Sequence, residues 1–182
     1  MNIPNVLSYS RIVLVILNYL FLFQNKTMFS IIFVLIGLTD VFDGFFARLL
    51  NQQTNYGAKL DTVADIVLTS SIIVWFVMLF PEFFKTQLVL SLTLISVFVL
   101  VIMFHFVRHK SLGSLHLWSS KFFAVMLFLF FLHAIIYDVS TIFFYVLFTV
   151  GIVRCIEEFG ILILNKNPPM NTKTIFHLKW NR

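Results

Sequence analysis

Six long apolar runs, separated by short polar clusters, dominate the chain. The first covers about 6–23 and ends at Gln24-Asn25-Lys26-Thr27. The second covers about 28–50. The third, about 56–80, stops at Pro81-Glu82, and the fourth, about 86–107, at Arg108-His109-Lys110. The fifth, about 119–137, stops at Asp138, and the sixth, about 141–164, at Asn165-Lys166-Asn167-Pro168-Pro169. Roughly 20 apolar residues suffice for a helix to cross the hydrocarbon core of a bilayer. The runs are continuous and do not alternate, which argues against barrel strands. The pattern therefore predicts an all-α membrane protein, a six-transmembrane-helix bundle over residues 1–165. A short polar tail, 166–182, is expected to follow on the cytoplasmic side with no catalytic role.

Composition agrees. Hydrophobic residues make up 60% and charged residues 12% of the 182 positions, and the mean hydropathy is +0.97. A soluble domain would be nearer half apolar and a quarter charged, so a water-soluble globule, a disordered chain and a disulfide scaffold are all excluded. The single Cys155 has no intrachain partner. No charged n-region or small-residue cleavage site flanks the first run, so it is expected to stay as a helix and not to act as a signal peptide. The net charge of +5 would raise nucleic acid as a partner of a soluble protein. Here it reads as loop lysines and arginines facing lipid headgroups, with no nucleic acid involved. Arg11, Arg48, Lys59, Arg108, Lys110, Lys121, Lys166, Lys173, Lys179 and Arg182 fall on one side of a six-span arrangement, and Lys26 and Lys85 on the other. The positive-inside rule then puts both termini in the cytoplasm, as expected for a multi-pass protein of the cytoplasmic membrane.

The acids change the picture. Of eight, Asp40, Asp43, Asp61 and Asp65 lie within 26 residues, inside or beside apolar runs. Ionisable groups there are costly and tend to face each other, a cavity or an ion. Asp40 and Asp43 are i, i+3, and Asp61 and Asp65 are i, i+4, so each pair shares a helix face. A short loop joins the two helices, and facing each other they would gather four carboxylates at one depth. Those carboxylates stay ionised together only with compensation. A hard divalent cation such as Mg²⁺ or Ca²⁺ takes oxygen ligands and supplies it, and Mg²⁺ commonly shares its shell with phosphate oxygens. The cluster thus points to a phosphate-bearing substrate at the membrane–cytosol interface. Gly44 and Gly57 flank it, and a glycine inside a helix costs about 1 kcal/mol relative to Ala, which suggests close approach of a ligand or backbone. Ala47 keeps the face small, and Arg48 offers a forked donor suited to phosphate. Small residues also pack membrane helices by themselves, but that does not account for four acids.

Read as a unit, the segment is Asp40-x2-Asp43-Gly44-x2-Ala47-Arg48-x8-Gly57-x3-Asp61-x3-Asp65. It resembles the signature of the CDP-alcohol phosphatidyltransferase family, with every signature position filled. The start, Asn2-Ile3-Pro4-Asn5-Val6-Leu7-Ser8-x2-Arg11, is similar to the family's Pro-Asn-x-Leu-Thr-x2-Arg opening, with Ser8 in place of Thr. The resemblance implies an enzyme of phospholipid synthesis that displaces CMP from a CDP-linked lipid donor, often CDP-diacylglycerol, by an alcohol acceptor. It implies two divalent ions, Mg²⁺ or Mn²⁺, held by Asp40, Asp43, Asp61 and Asp65. Asp65 would also be the general base, and spacing alone does not separate its two roles. Asn5, Ser8, Gly44, Arg48 and Gly57 would lie around the nucleotide, and a homodimer is the common assembly.

The motif is silent on the acceptor. Arg154, inside the sixth run with Glu157 and Glu158 close behind, is either an intrahelical salt bridge or an anchor for a phosphorylated acceptor. Arg108 and Lys110 are positive-inside anchors or pocket cations, and Lys121, at the start of the fifth run, is the better pocket candidate. With Arg108, Lys121 and Arg154 as acceptor residues, glycerol 3-phosphate or inositol phosphate is the expected acceptor, and serine or inositol the alternative. Bacterial phosphatidylglycerophosphate synthases often carry a Gly-Lys-x-Lys-Thr stretch near the fifth span. Here the chain reads Gly113-Ser114-Leu115-His116-Leu117-Trp118-Ser119-Ser120-Lys121, and only Lys121 could correspond. A transporter with an acid-lined ion path is the rival class. It predicts acids spread through the bilayer depth, whereas these gather near one face. A scaffold descended from the family would be expected to have lost signature residues, and none is lost. His105 and His109, at i, i+4, read as interfacial packing residues.

Overall fold

The computed structural model describes residues 3–50, 54–109, 117–164 and 174. The side chains of residues 47, 48, 55, 108 and 109 are outside the description. Apart from Thr174, so are Lys110 and the tail expected over 166–182.

Among the described residues the chain is all helix: α1 (Ile3–Phe21), α2 (Lys26–Leu49), α3 (Asn55–Leu79), α4 (Pro81–Thr86), α5 (Leu88–His109), α6 (Trp118–Tyr137) and α7 (Thr141–Leu164). The six long helices follow the six apolar runs to within about three residues. Five of them, α1, α2, α3, α5 and α6, are long and apolar enough to cross a membrane. The sixth, α7, has 24 residues, but Arg154, Glu157 and Glu158 interrupt its apolar run. The element missed from sequence is α4. Pro81, expected to end the third run, opens a short helix, because the first helical position needs no backbone N–H and favours the fixed proline φ. Glu82 and Lys85 pair along its exposed face at 3.0 Å.

The chain divides into two compact units: residues 1–81 with 131–138, and residues 82–130 with 139–182. In the first unit α1 packs on both α2 and α3. Sequence suggested that α2 and α3 face each other; both pack on α1, and their aspartates come together beside it. The reason is the inward face of α1, where Pro4, Ser8, Arg11, Val15 and Asn18 recur at helical spacing and are all buried. Away from this polar stripe, Trp75 of α3 is fully buried in an aromatic cluster. It stacks on Phe131 at 6.2 Å and meets Phe29 edge-on at 5.2 Å, geometries that favour aromatic pairs beyond their buried area. The other faces are apolar and exposed, as at Val13, Ile16 and Leu20 of α1, which suits contact with lipid.

In the second unit α5 packs on α7. A β-carbon at Gly151 would lie 2.7 Å from Leu94 Cδ1 and 2.9 Å from Phe123 Cε2, so the glycine lets these helices close. Leu117, Ile161 and Leu162 form a buried cluster with Phe104 against it.

Candidate active site

The first unit gathers the signature acids. Thr54 caps α3: its backbone is extended and its hydroxyl accepts a hydrogen bond from the Gly57 amide at 3.0 Å. That start sets Asp61 and Asp65 in the following turns, on the face toward α1. Asp40 and Asp43 come from the second half of α2. Asp40, Asp61 and Asp65 each offer a carboxylate oxygen, and the three oxygens lie within 4.8 Å of one another. Their side chains are about half exposed: 52%, 47% and 58%. Asp43 is different. It is buried and accepts a hydrogen bond from the Ser8 hydroxyl.

Arg11 occupies the centre of the cluster. Its Nη1 donates to Asp65 at 2.8 Å and to Asp61 at 3.1 Å. Its Nη2 lies 2.8 Å from Asp40 and 3.5 Å from Asp43. The side chain has 0% exposure. Sequence reasoning put Arg11 near a span end and in the opening motif, and missed this role. The available signal was spacing: Ser8, Arg11 and Asn18 share one face of an otherwise apolar helix, and a buried arginine there needs acids to face.

Two residues expected near the nucleotide meet beside the acids. A β-carbon at Gly57 would sit 2.8 Å from Asn5 Oδ1 and 3.1 Å from Thr54 Oγ1, so the absent side chain lets Asn5 lie against α3. Tyr9 and Tyr56 join the same two helices through their hydroxyls, 2.5 Å apart. Gly44 is exposed, and among the described residues nothing would come within 4 Å of a β-carbon there. Arg48 is on the same helix, with its side chain outside the description.

The acceptor candidates are in the second unit. Arg154 is buried, donates from Nη2 to Glu158 at 2.6 Å and from Nε to Ser120 at 3.0 Å, and lies over the Phe98 ring. The intrahelical salt bridge is therefore present, with Glu158 as its partner. Glu157 instead accepts from Ser119 at 2.5 Å. Lys121 is exposed in the first turn of α6, and the Arg108 side chain is outside the description.

An all-carboxylate donor set, with three oxygens in one small space and open to solvent, fits a hard divalent cation. The same set fits softer metals poorly, having no sulfur or imidazole donor among its members.

Comparison with known proteins agrees with the motif. The profile of the family described as CDP-alcohol phosphatidyltransferase matches residues 1–153. The chain is 39% identical over 95 residues to a CDP-diacylglycerol–inositol 3-phosphatidyltransferase of Candida albicans, covering 52% of this chain and 41% of that protein. It is 47% identical over 70 residues to a CDP-diacylglycerol–glycerol-3-phosphate 3-phosphatidyltransferase of Aquifex aeolicus, covering 38% of this chain and 39% of that protein. A human protein of the inositol type is 39% identical over 79 residues, covering 43% of this chain and 37% of that protein. The matched stretch is thus about two fifths of the length of these curated relatives. No solved structure matches the chain. With the signature acids assembled across α2 and α3 and the family profile running through most of its length, this multi-pass membrane chain belongs to the CDP-alcohol phosphatidyltransferase family.

Proposed function

We propose that the chain transfers the phosphatidyl group of a CDP-linked lipid donor, such as CDP-diacylglycerol, to an alcohol acceptor and releases CMP. The observation that carries this reading is the meeting of Asp40, Asp61 and Asp65 within 4.8 Å, with Asn5 and Gly57 in contact beside them. Asp40, Asp43, Asp61 and Asp65 would hold two divalent ions, Mg²⁺ or Mn²⁺. When bound, these neutralise charge on the donor's pyrophosphate and make CMP a better leaving group. Asn5, Ser8, Gly44, Arg48 and Gly57 would surround the nucleotide, with the small residues making room for it. Asp65, one turn from Asp61, takes the proton of the acceptor hydroxyl. The acceptor oxygen then bonds to the phosphorus that carries diacylglycerol. The bond from that phosphorus to the CMP oxygen breaks, and its electron pair leaves with CMP.

The acceptor is proposed to be a phosphorylated alcohol, glycerol 3-phosphate or inositol phosphate, held by Arg108, Lys121 and Arg154. The glycerol-3-phosphate name of the Aquifex aeolicus relative favours this. The inositol names of the Candida albicans and human relatives favour the second reading, a free alcohol. We further propose that α7 is the sixth span, its three charges turned inward as Arg154 and Glu158 are. Both termini and the acid cluster would then face the cytoplasm, and the protein would work as a homodimer.

The test is CMP release by the purified full chain in lipid, given CDP-diacylglycerol and Mg²⁺ or Mn²⁺, with glycerol 3-phosphate, inositol phosphate, inositol and serine supplied singly. Release with one acceptor, lost on adding chelator, is expected. Release that ignores the chelator, or none with any acceptor, contradicts the reading.

A further inference from the structure

Arg11 is fully buried within an apolar helix. A buried cation is costly unless it is paired. Its two terminal nitrogens both face carboxylates, with contacts from 2.8 to 3.5 Å. Its Nε, also buried, has no hydrogen-bond partner among the described residues, so among these the acids hold the guanidinium. The acids have the converse problem. Four carboxylates from α2 and α3 repel one another at this range, and among the described residues one guanidinium is set against their four formal negative charges. The geometry is also layered. Asp40, Asp61 and Asp65 are about half open to solvent, while Arg11 lies sealed behind them. An ion arriving from water meets carboxylates that already share a cation.

We propose that Arg11 is a positioning residue that stands in for the divalent ions: it holds the four aspartates together before ions bind, and its charge then weakens the binding of the ions that share them. The proposal rests on the metal-dependent reading above. A fork whose two nitrogens face different helices suits this role, because it can reach α2 and α3 at once. The arrangement assembles the site in advance and keeps ion binding reversible.

The test is Mn²⁺ binding to the purified full chain in detergent, without nucleotide or acceptor, followed by the electron paramagnetic resonance signal of the free ion. Thermal unfolding with and without Mn²⁺ is measured alongside. Arg11→Met keeps length and removes charge. It should lower the unfolding temperature of the ion-free protein and tighten the first Mn²⁺ site by about tenfold or more, since a like charge within about 4 Å is gone. The rise in unfolding temperature on adding Mn²⁺ should exceed that of the wild type. Arg11→Lys keeps the charge and should bind Mn²⁺ within about threefold of the wild type. Wild-type binding that Arg11→Met leaves unchanged or weakens overturns the role of Arg11 alone. If Arg11→Met does not fold, a tenfold change in Arg11→Lys overturns it equally. Absence of Mn²⁺ binding in both the wild type and Arg11→Met contradicts the metal reading itself.

Discussion

Replacing Gly57 by Ala separates the needs of the site from the needs of the fold. The new β-carbon would lie 2.8 Å from Asn5 Oδ1 and 3.1 Å from Thr54 Oγ1. Normal carbon–oxygen contact is longer by a few tenths of an ångström, so one of these groups must move. Thr54 is the N-cap and is held by the residue-57 amide, so the Asn5 amide is the group that gives way. Crowding of this kind costs about 1–3 kcal/mol, and alanine in a helix returns up to about 1 kcal/mol. The net loss of stability is therefore small, about 0–2 kcal/mol. Activity should suffer more. Asn5 is proposed to touch the nucleotide, and misplacing such a group by about 1 Å can cost about a hundredfold in rate. Thermal unfolding in detergent and CMP release from CDP-diacylglycerol should thus part company: a nearly unchanged unfolding temperature beside a kcat/KM reduced about tenfold to a hundredfold. The crowded partner can be identified with a double-mutant cycle. In an Asn5→Ala background the Gly57→Ala substitution should lose its cost, giving a coupling of about 1 kcal/mol or more. Full activity in Gly57→Ala, or simple additivity with Asn5→Ala, would refute the reasoning.

Two further outcomes concern packing. Arg154 and Glu158 form a buried pair at 2.6 Å, so Arg154→Met or Glu158→Gln alone should cost about 3–5 kcal/mol by stranding the other charge, whereas an Arg154→Met/Glu158→Met double variant should be milder than either; thermal unfolding of all three checks this, and CMP release by the folded double variant reports any role in holding the acceptor. Trp75→Ala should cost about 3–5 kcal/mol, because the side chain is fully buried and stacked on Phe131, and an unfolding temperature near that of the wild type would show that the aromatic cluster does not carry the first unit.

Much of the helical plan was legible because bilayer thickness imposes a length on each run, and the aspartates were legible because four costly charges at helical spacing have few explanations. The contact between Asn5 and Gly57 could be expected only through the family resemblance, since nothing local joins residues 52 positions apart. Arg11 was hidden for a physical reason. A cation near a span end is most often an interfacial anchor, and only the packing of α1 between two acid-bearing helices turns it inward. The α7 charges were ambiguous for a similar reason, as Glu157 and Glu158 both lie within helical reach of Arg154. The structure assigns Glu158 to Arg154 and Glu157 to Ser119, a choice set by how α6 lies on α7 and invisible in either helix alone.

The central claim is that the acid cluster is a metal-dependent transferase site, and CMP release with a matched set of proteins tests it most directly. Wild type, Asp61→Ala and Asp65→Ala would be assayed in lipid with CDP-diacylglycerol, Mg²⁺ and the acceptor that the wild type uses, with and without chelator. The account predicts turnover in the wild type that the chelator abolishes, and a fall of at least about a hundredfold in each variant. Unchanged turnover in folded Asp61→Ala or Asp65→Ala protein would contradict it.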